Sequence, residues 1–361
     1  MSQPVGESRL RGLASVARGL SRLTEFEDII EHAADGALAP LNAASISVSR
    51  IEPGTGTIRT VINTGRLGPG EQRWPDNELY QIDRFVVGNV WAGMAENFAV
   101  GQLRIIVVSV DDSSADPEEL KILRSLHKAS SISTPVIVDG KLWGEFYATR
   151  EAGAAPFDSV DEAFAEAFSA ILSGAVTGAI HVKSLTRMAY LDSLTGLANR
   201  RALDDAAAVA FDAVSGASGR PVTAVTFDVN GLKKVNDTAG HDAGDRLIAQ
   251  IGALLDAHFA HLPGSLVARV GGDEFTVLVP VHSNTAVVAA AESACLAARE
   301  LLDGAGLSCG VATTTDRGAE AATLLFAAAD AAQYQAKRAG SLRPVAAPHL
   351  SNHADFDGGT S

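Results

Sequence analysis

The segment Arg269-Val270-Gly271-Gly272-Asp273-Glu274-Phe275 constrains the fold of this chain more than any other. Apolar residues dominate 266–270 and 275–279, which marks two short strands. A glycine pair between them admits a tight turn, so the strands must be antiparallel neighbours with Asp273 and Glu274 at the sheet's end. Around this hairpin the pattern reads strand 222–228, helix 247–259, helix 285–302, strand 307–313 and helix 321–338. With a further helix after Asp228 the order is βααββαβ, an antiparallel ferredoxin-like sheet backed by helices.

The N-terminal half reads as a second α+β domain. Phe26, Ile29, Ile30, Ala33 and Ala37 fall at helical spacing until Pro40. Ile46, Val48 and Ile51 then alternate as a strand, and 58–62 forms another beyond the turn-rich Glu52-Pro53-Gly54-Thr55-Gly56. A helix is expected at 118–128. A hairpin follows, 133–138 and 141–149 about Asp139-Gly140, because a type I′ turn needs positive φ at both central residues. Over 159–190 a long helix places Phe164, Ile171, Gly178 and Leu185 seven apart, with Phe168, Ala175, Val182 and Ala189 between them. That period suits a parallel two-stranded coiled coil, although Gly174 and Gly178 weaken it. The same helix also suits packing on its own domain's sheet, and one helix can do both.

Composition narrows the partners. The 361 residues suffice for two domains, and the formal charge of −14 disfavours nucleic acid or an anionic membrane surface. Cys295 and Cys309 fit neither a disulfide framework nor a zinc site. The opening residues lack a signal-peptide pattern, and no uninterrupted apolar run approaches the ~20 residues of a membrane span. The expected setting is soluble and cytoplasmic. The domain boundaries expected are a lead-in helix at 1–21, a first α+β domain at 22–160, a connecting helix at 161–190, a second α+β domain at 191–342 and a loose tail at 343–361.

Asp228 ends an apolar strand where a carboxylate has no packing role. If that strand neighbours the hairpin, Asp228, Asp273 and Glu274 converge, and like charges so close favour a hard cation between them. Such a site suits metal-assisted phosphoryl transfer; an ordinary turn with a solvated Glu274 is the plain alternative. Gly271 and Gly272 would let a nucleotide approach the backbone, and Lys233 could reach phosphates or be solvated. Asn236 and Asp245 are short polar groups able to read a guanine edge or to cap a helix, and Lys337 has the same ambiguity.

These segments resemble the signatures of GGDEF domains. The matching stretches are Asp192-Ser193-Leu194-Thr195-Gly196-Leu197-Ala198-Asn199-Arg200-Arg201, Phe227 through Asp237, Gly240-His241-Asp242-Ala243-Gly244-Asp245, the Gly-Gly-Asp-Glu-Phe hairpin, and Asp330 through Lys337. The resemblance covers about 190–340 and implies a palm-like nucleotide cyclase fold that joins two GTP into cyclic di-GMP across a homodimer. It implies Mg²⁺, two ions per site with Mn²⁺ as an alternative, held by Asp228, the Val229 carbonyl, Asp273 and Glu274. It further implies that Asp273 helps deprotonate the attacking hydroxyl with Glu274 assisting, that Lys233 stabilises phosphate charge, and that Lys337 holds the triphosphate. Asn236 and Asp245 would recognise guanine, with His241 nearby.

Two positions depart from that family. The usual Arg-x-x-Asp ahead of the hairpin is replaced by Leu262-Pro263-Gly264-Ser265, which implies no product feedback through that surface. Ser341 stands where many members are basic, with Arg343 as a possible substitute. The N-terminal half resembles a GAF sensory domain over roughly 22–183, on Ser133 through Tyr147 and Pro156-Phe157-Asp158. It holds no cysteine for a covalent bilin; His32 and His127 are expected to be solvated rather than to ligate a haem, and Trp74, Trp91 and Trp143 to fill the core rather than line a pocket. The reading is a GAF-gated diguanylate cyclase taking an unknown small-molecule or protein signal. Its rivals are a silent GTP- or partner-binding effector and a cyclase making another dinucleotide.

Overall fold

A computed structural model describes residues 3–82, 105–212, 220–280, 282–301 and 306–348. The chain divides into two compact units, Met1–Ser184 and Leu185–Ser361.

In the first unit, helices α1 (Gln3–Leu20) and α2 (Phe26–Leu41) precede β1 (Ser45–Glu52), β2 (Thr57–Gly65), β3 (Leu79–Gln81) and β4 (Ile106–Ser109). Helix α3 (Pro117–Ser125), the hairpin β5 (Lys128–Val138) and β6 (Lys141–Glu151), and α4 (Ser159–Tyr190) follow. The six strands form an antiparallel sheet in the order β3-β2-β1-β6-β5-β4. Asp139 at φ 51° and Gly140 at φ 72° make the expected hairpin turn. Pro40 lies in the last turn of α2, which stops at Leu41 because Asn42 turns left-handed at φ 47°.

Strand alternation sets the layers. Ile46 and Val48 of β1 and Phe146 and Ala148 of β6 face a core made with Ile29, Ile30 and Ala33 of α2 and Phe164, Phe168 and Leu172 of α4. The Phe146 and Phe168 rings meet at 4.7 Å. Asp161 in the first turn of α4 is fully buried and accepts from Arg9 at 2.6 Å and Arg150 at 2.9 Å, which pins the start of the helix.

These contacts correct several expectations. Phe164 and Phe168 belong to the unit's own core, so they are not free to form a coiled-coil seam; the exposed apolar side chains of α4 are Val160, Val182, Leu185 and Met188. Helix α4 is also long and apolar enough in composition to cross a membrane, although its buried face serves this core. The lead-in helix is part of the unit as well, since Val16 and Leu20 are buried in the same core. His32 is not a solvated side chain: its Nε2 is buried against Gly19 of α1.

The second unit continues with α5 (Arg200–Ala210), β7 (Val222–Val229), α6 (Leu232–Ala239), α7 (His241–Phe259), β8 (Leu266–Gly271) and β9 (Glu274–Pro280). It ends with α8 (Asn284–Leu301), β10 (Leu307–Thr314), α9 (Ala319–Ala339) and β11 (Val345–Ala346). The sheet order is β11-β10-β7-β9-β8, so the first four strands of the unit give the ferredoxin-like arrangement with β7 buried at the centre. Val225 and Phe227 face Ile248, Ile251 and Phe259 of α7, while Val222 and Ala224 face Leu203 of α5 and Leu325 of α9. The tail is not loose from 343, because Val345 and Ala346 pair in parallel with Gly310 and Val311.

Candidate active site

Central position in the sheet delivers Asp228. It is the penultimate residue of β7, and its cross-strand partners are Glu274 of β9 and Ser308 of β10. The Val229 amide donates to the Asp273 carbonyl at 3.0 Å. Asp228, Val229, Asp273 and Glu274 therefore share one end of one sheet. Asp228 is buried, whereas Glu274 is exposed beyond the turn.

Lys337, in the last turn of α9, places Nζ 2.7 Å from both oxygens of Asp228. That hydrogen bond raises its pKa above the ordinary lysine value against the opposing effect of burial, and the charges of Asp228, Asp273 and Glu274 add to it. All three carboxylates thus act on one ammonium. Among the described residues no three His, Cys, Asp or Glu side chains gather closely enough to hold a metal ion by themselves. The donors available are nonetheless all hard oxygens, and an ammonium already rests on Asp228, so the sheet end suits a cation.

A two-residue turn, Gly272-Asp273, joins β8 to β9. Neither Gly271 nor Gly272 has positive φ, and a Cβ added at Gly272 would meet no protein atom. Backbone conformation and packing do not require glycine at 272. The turn is held from behind by Arg269, which donates to the Gly272 carbonyl at 2.8 Å and to both oxygens of Asp192 at 3.1 and 3.2 Å. Burial pushes Asp192 up, but hydrogen bonds from Thr195 and Arg269 outweigh it and hold it below the usual carboxylate range.

Asn236 and Asp245 lie on consecutive helices, α6 and α7, and neither is a cap: those helices start after Gly231 and Gly240. The Asn236 Oδ1 is buried without a hydrogen-bond partner among the described residues. It rests where a Cβ on Gly244 would collide with it, which puts Asn236 against α7 next to Asp245. Lys233 is exposed in the first turn of α6, and His241 is exposed at the start of α7, one turn before Asp245. Ser341 bonds the Arg343 backbone, and Leu262 is buried in the core.

The Arg269–Asp192 pair was missed by the sequence reading, although both residues fall inside the quoted motifs; their separation of 77 positions concealed the pairing. The aromatic reading of the first unit also needs correction. Trp74 is largely exposed, Trp143 packs edge-on to Phe26 at 5.7 Å at the margin of the core, and Trp91 lies outside the described residues.

Comparison with known proteins agrees with this arrangement. The family model for "Diguanylate cyclase, GGDEF domain" matches residues 189–343, and the GAF domain model matches 25–176. A Streptomyces griseus protein, described as an uncharacterized protein in the hutH 5′ region, is 41% identical over 214 residues, spanning 59% of this chain and 88% of its own. The chain belongs to the GGDEF family.

Its GGDEF domain is 33% identical to diguanylate cyclase DgcP of Pseudomonas aeruginosa over 165 residues, 44% of this chain and 24% of that protein. The chain spans 19–35% of the length of several larger curated relatives. A solved structure of the coiled coil and GGDEF domain of DgcB from Caulobacter crescentus with c-di-GMP is 25% identical, covers 53% of this chain and 100% of its own, and has a TM-score of 0.44. The GGDEF domain here keeps the hairpin that names the family, Gly271 through Phe275, without substitution.

Proposed function

We propose that the protein is a diguanylate cyclase that condenses two GTP into cyclic di-GMP, as a homodimer gated by its GAF domain. The observation that carries this reading is the sheet end where Asp228, Asp273 and Glu274 all act on Lys337. In each half-reaction the 3′-oxygen of one GTP attacks the α-phosphorus of the other. A new P–O bond forms, pyrophosphate leaves, and the hydroxyl proton passes toward the Asp273 carboxylate. Glu274 assists, Lys233 offsets phosphate charge, and Lys337 exchanges Asp228 for the triphosphate.

Mg²⁺, with Mn²⁺ as an alternative, would be held by Asp228, the Val229 carbonyl, Asp273 and Glu274, supplying charge neutralisation and an activated hydroxyl. The unpaired Asn236 Oδ1 supports a donor-bearing ligand between α6 and α7, which suits the guanine edge with Asp245 and His241 beside it. Gly271 and Gly272 would face the nucleotide; the space beside Gly272 supports that role. Since each subunit presents one GTP, catalysis requires two domains face to face. Helix α4 would set their orientation through its exposed Val182, Leu185 and Met188, in a cytoplasmic setting. With Leu262 and Ser265 in place of the charged pair, product feedback through that surface would be absent.

The test is pyrophosphate release from GTP with Mg²⁺, comparing the wild type with Asp273→Ala. Turnover in the wild type and its loss in the variant support a cyclase. GTP binding without turnover in either protein would support the silent effector instead.

A further inference from the structure

The face of the GAF sheet opposite its helical core holds a cavity of about 100 Å³, closed on one side by α3. Strand alternation puts it there: Ile46, Val48, Phe146 and Ala148 point to the core, while Ser47, Ser49, Glu145 and Tyr147 line the cavity. A polar second face on the two central strands of a sheet is costly unless those groups are used.

The charge of the lining is one-sided. Glu71, Glu78, Glu119 and Glu145 all line the cavity, and no Lys, Arg or His is among its described lining residues. The ion pairs among the unit's described residues engage other carboxylates, among them those of Glu31, Asp35, Glu52, Glu151 and Asp161. Glu119 is only 6% exposed. One of its oxygens accepts from Ser131 at 2.6 Å and Tyr147 at 2.7 Å, and the other accepts nothing among the described residues. Burial raises Glu119, and it raises Glu145 to about 7, with the charge of Glu119 adding to the rise.

Carboxylates held by hydroxyl donors, with no counter-charge among the described lining residues, are complementary to a cation. Among the described residues no three ligating side chains converge there, and the apolar part of the wall favours a cation that carries hydrocarbon of its own. Beside the hydroxyl-bearing residues, Ile51, Ile58, Ile122, Leu126 and Leu142 give the wall a hydrocarbon part. We propose that this cavity binds a small organic ammonium compound, its charged nitrogen received by Glu119 and Glu145 and its hydrocarbon part by the isoleucine and leucine wall. An apolar cavity of roughly 150 Å³ accepts benzene, so this one suits a body of a few heavy atoms. Binding is independent of cyclase activity; only its use as a signal rests on the gating reading above.

The experiment uses the full chain without GTP, followed by thermal melting and isothermal calorimetry. The probes are n-butylamine and putrescine at about 10 mM, with 1-butanol and butyrate as comparisons. The expected result is a rise in Tm with an amine and none with 1-butanol or butyrate. Glu145→Gln should weaken the amine by about tenfold or more through the lost charge-assisted bond. Glu119→Gln provides the same test should the first variant fail to fold. No shift from either amine, an equal shift from 1-butanol or butyrate, or undiminished amine binding by the folded Gln variants overturns the proposal.

Discussion

Lys337 Nζ lies 2.7 Å from both oxygens of Asp228, so an ammonium from α9 already sits at the end of β7. The two carboxylate oxygens it holds are those proposed to take a metal ion, which makes the pair an exchange point. GTP binding would draw Lys337 off Asp228 and onto phosphate.

Lys337→Met is therefore expected to raise KM for GTP by about 10–100-fold, with a smaller effect on kcat. The raised lysine pKa also gives a pH signature. A folded value above the unfolded one stabilises the protein fully below the ordinary lysine range, and that contribution is lost as pH climbs through the folded value. The variant should lack this alkaline loss in thermal melts. Its side chain is half exposed, so the effect on stability is small. Steady-state kinetics with an unchanged KM would contradict the exchange.

Asp192→Asn tests the support behind the hairpin. The folded pKa of Asp192 is depressed, so its stabilisation is present above the ordinary carboxylate value and is lost as pH falls through the lower folded value. The variant should be less stable at neutral pH by about 1–2 kcal/mol and show a flatter acid limb. Turnover should fall as well, because Arg269 then holds the Gly272 carbonyl without its own anchor. Denaturant melts at several pH values and initial rates check both.

Gly244→Ala would push a methyl group into the Asn236 side chain. The expected outcome is a weaker fit for GTP, about tenfold in KM, with Tm nearly unchanged because α7 accepts alanine readily. Fluorescent GTP-analogue titration measures it, and Asn236→Ala should reproduce the loss.

Exposed Leu185 and Met188 on α4 are 61% and 66% accessible. Replacing both with Glu should yield monomers by analytical ultracentrifugation and reduce turnover more than tenfold, while GTP binding persists. A double variant that remains dimeric would move the dimer contact elsewhere. Phe168 is unsuitable for this purpose, since a charge there would unfold the GAF core before it could test assembly.

Much of the GGDEF half was legible because its chemistry is local in sequence. The hairpin, the strand ending at Asp228 and the Asn236-to-Asp245 run each declare themselves within about ten residues. Lys337 stood out only as a candidate through the resemblance, and its bond to Asp228 spans 109 positions and depends on α9 crossing the sheet. In the GAF half the same alternation carried two meanings. Ile46 and Val48 of the strand read at β1 do face the core, but Ile51 lines the cavity, and Ser47, Ser49, Glu145 and Tyr147 look solvent-facing until α3 is seen to cover them. The long helix misled for a related reason: Phe164 and Phe168 fit a heptad, and a heptad does not say whose core it fills.

The most direct test of the central claim is mass spectrometry of the product formed from an equimolar mixture of GTP and ATP with Mg²⁺. Cyclic di-GMP as the main product, absent with Glu274→Gln or Asp273→Ala, is the expected result. Linear products only, a mixed or adenine dinucleotide, or unreacted GTP from a folded dimeric protein would contradict it.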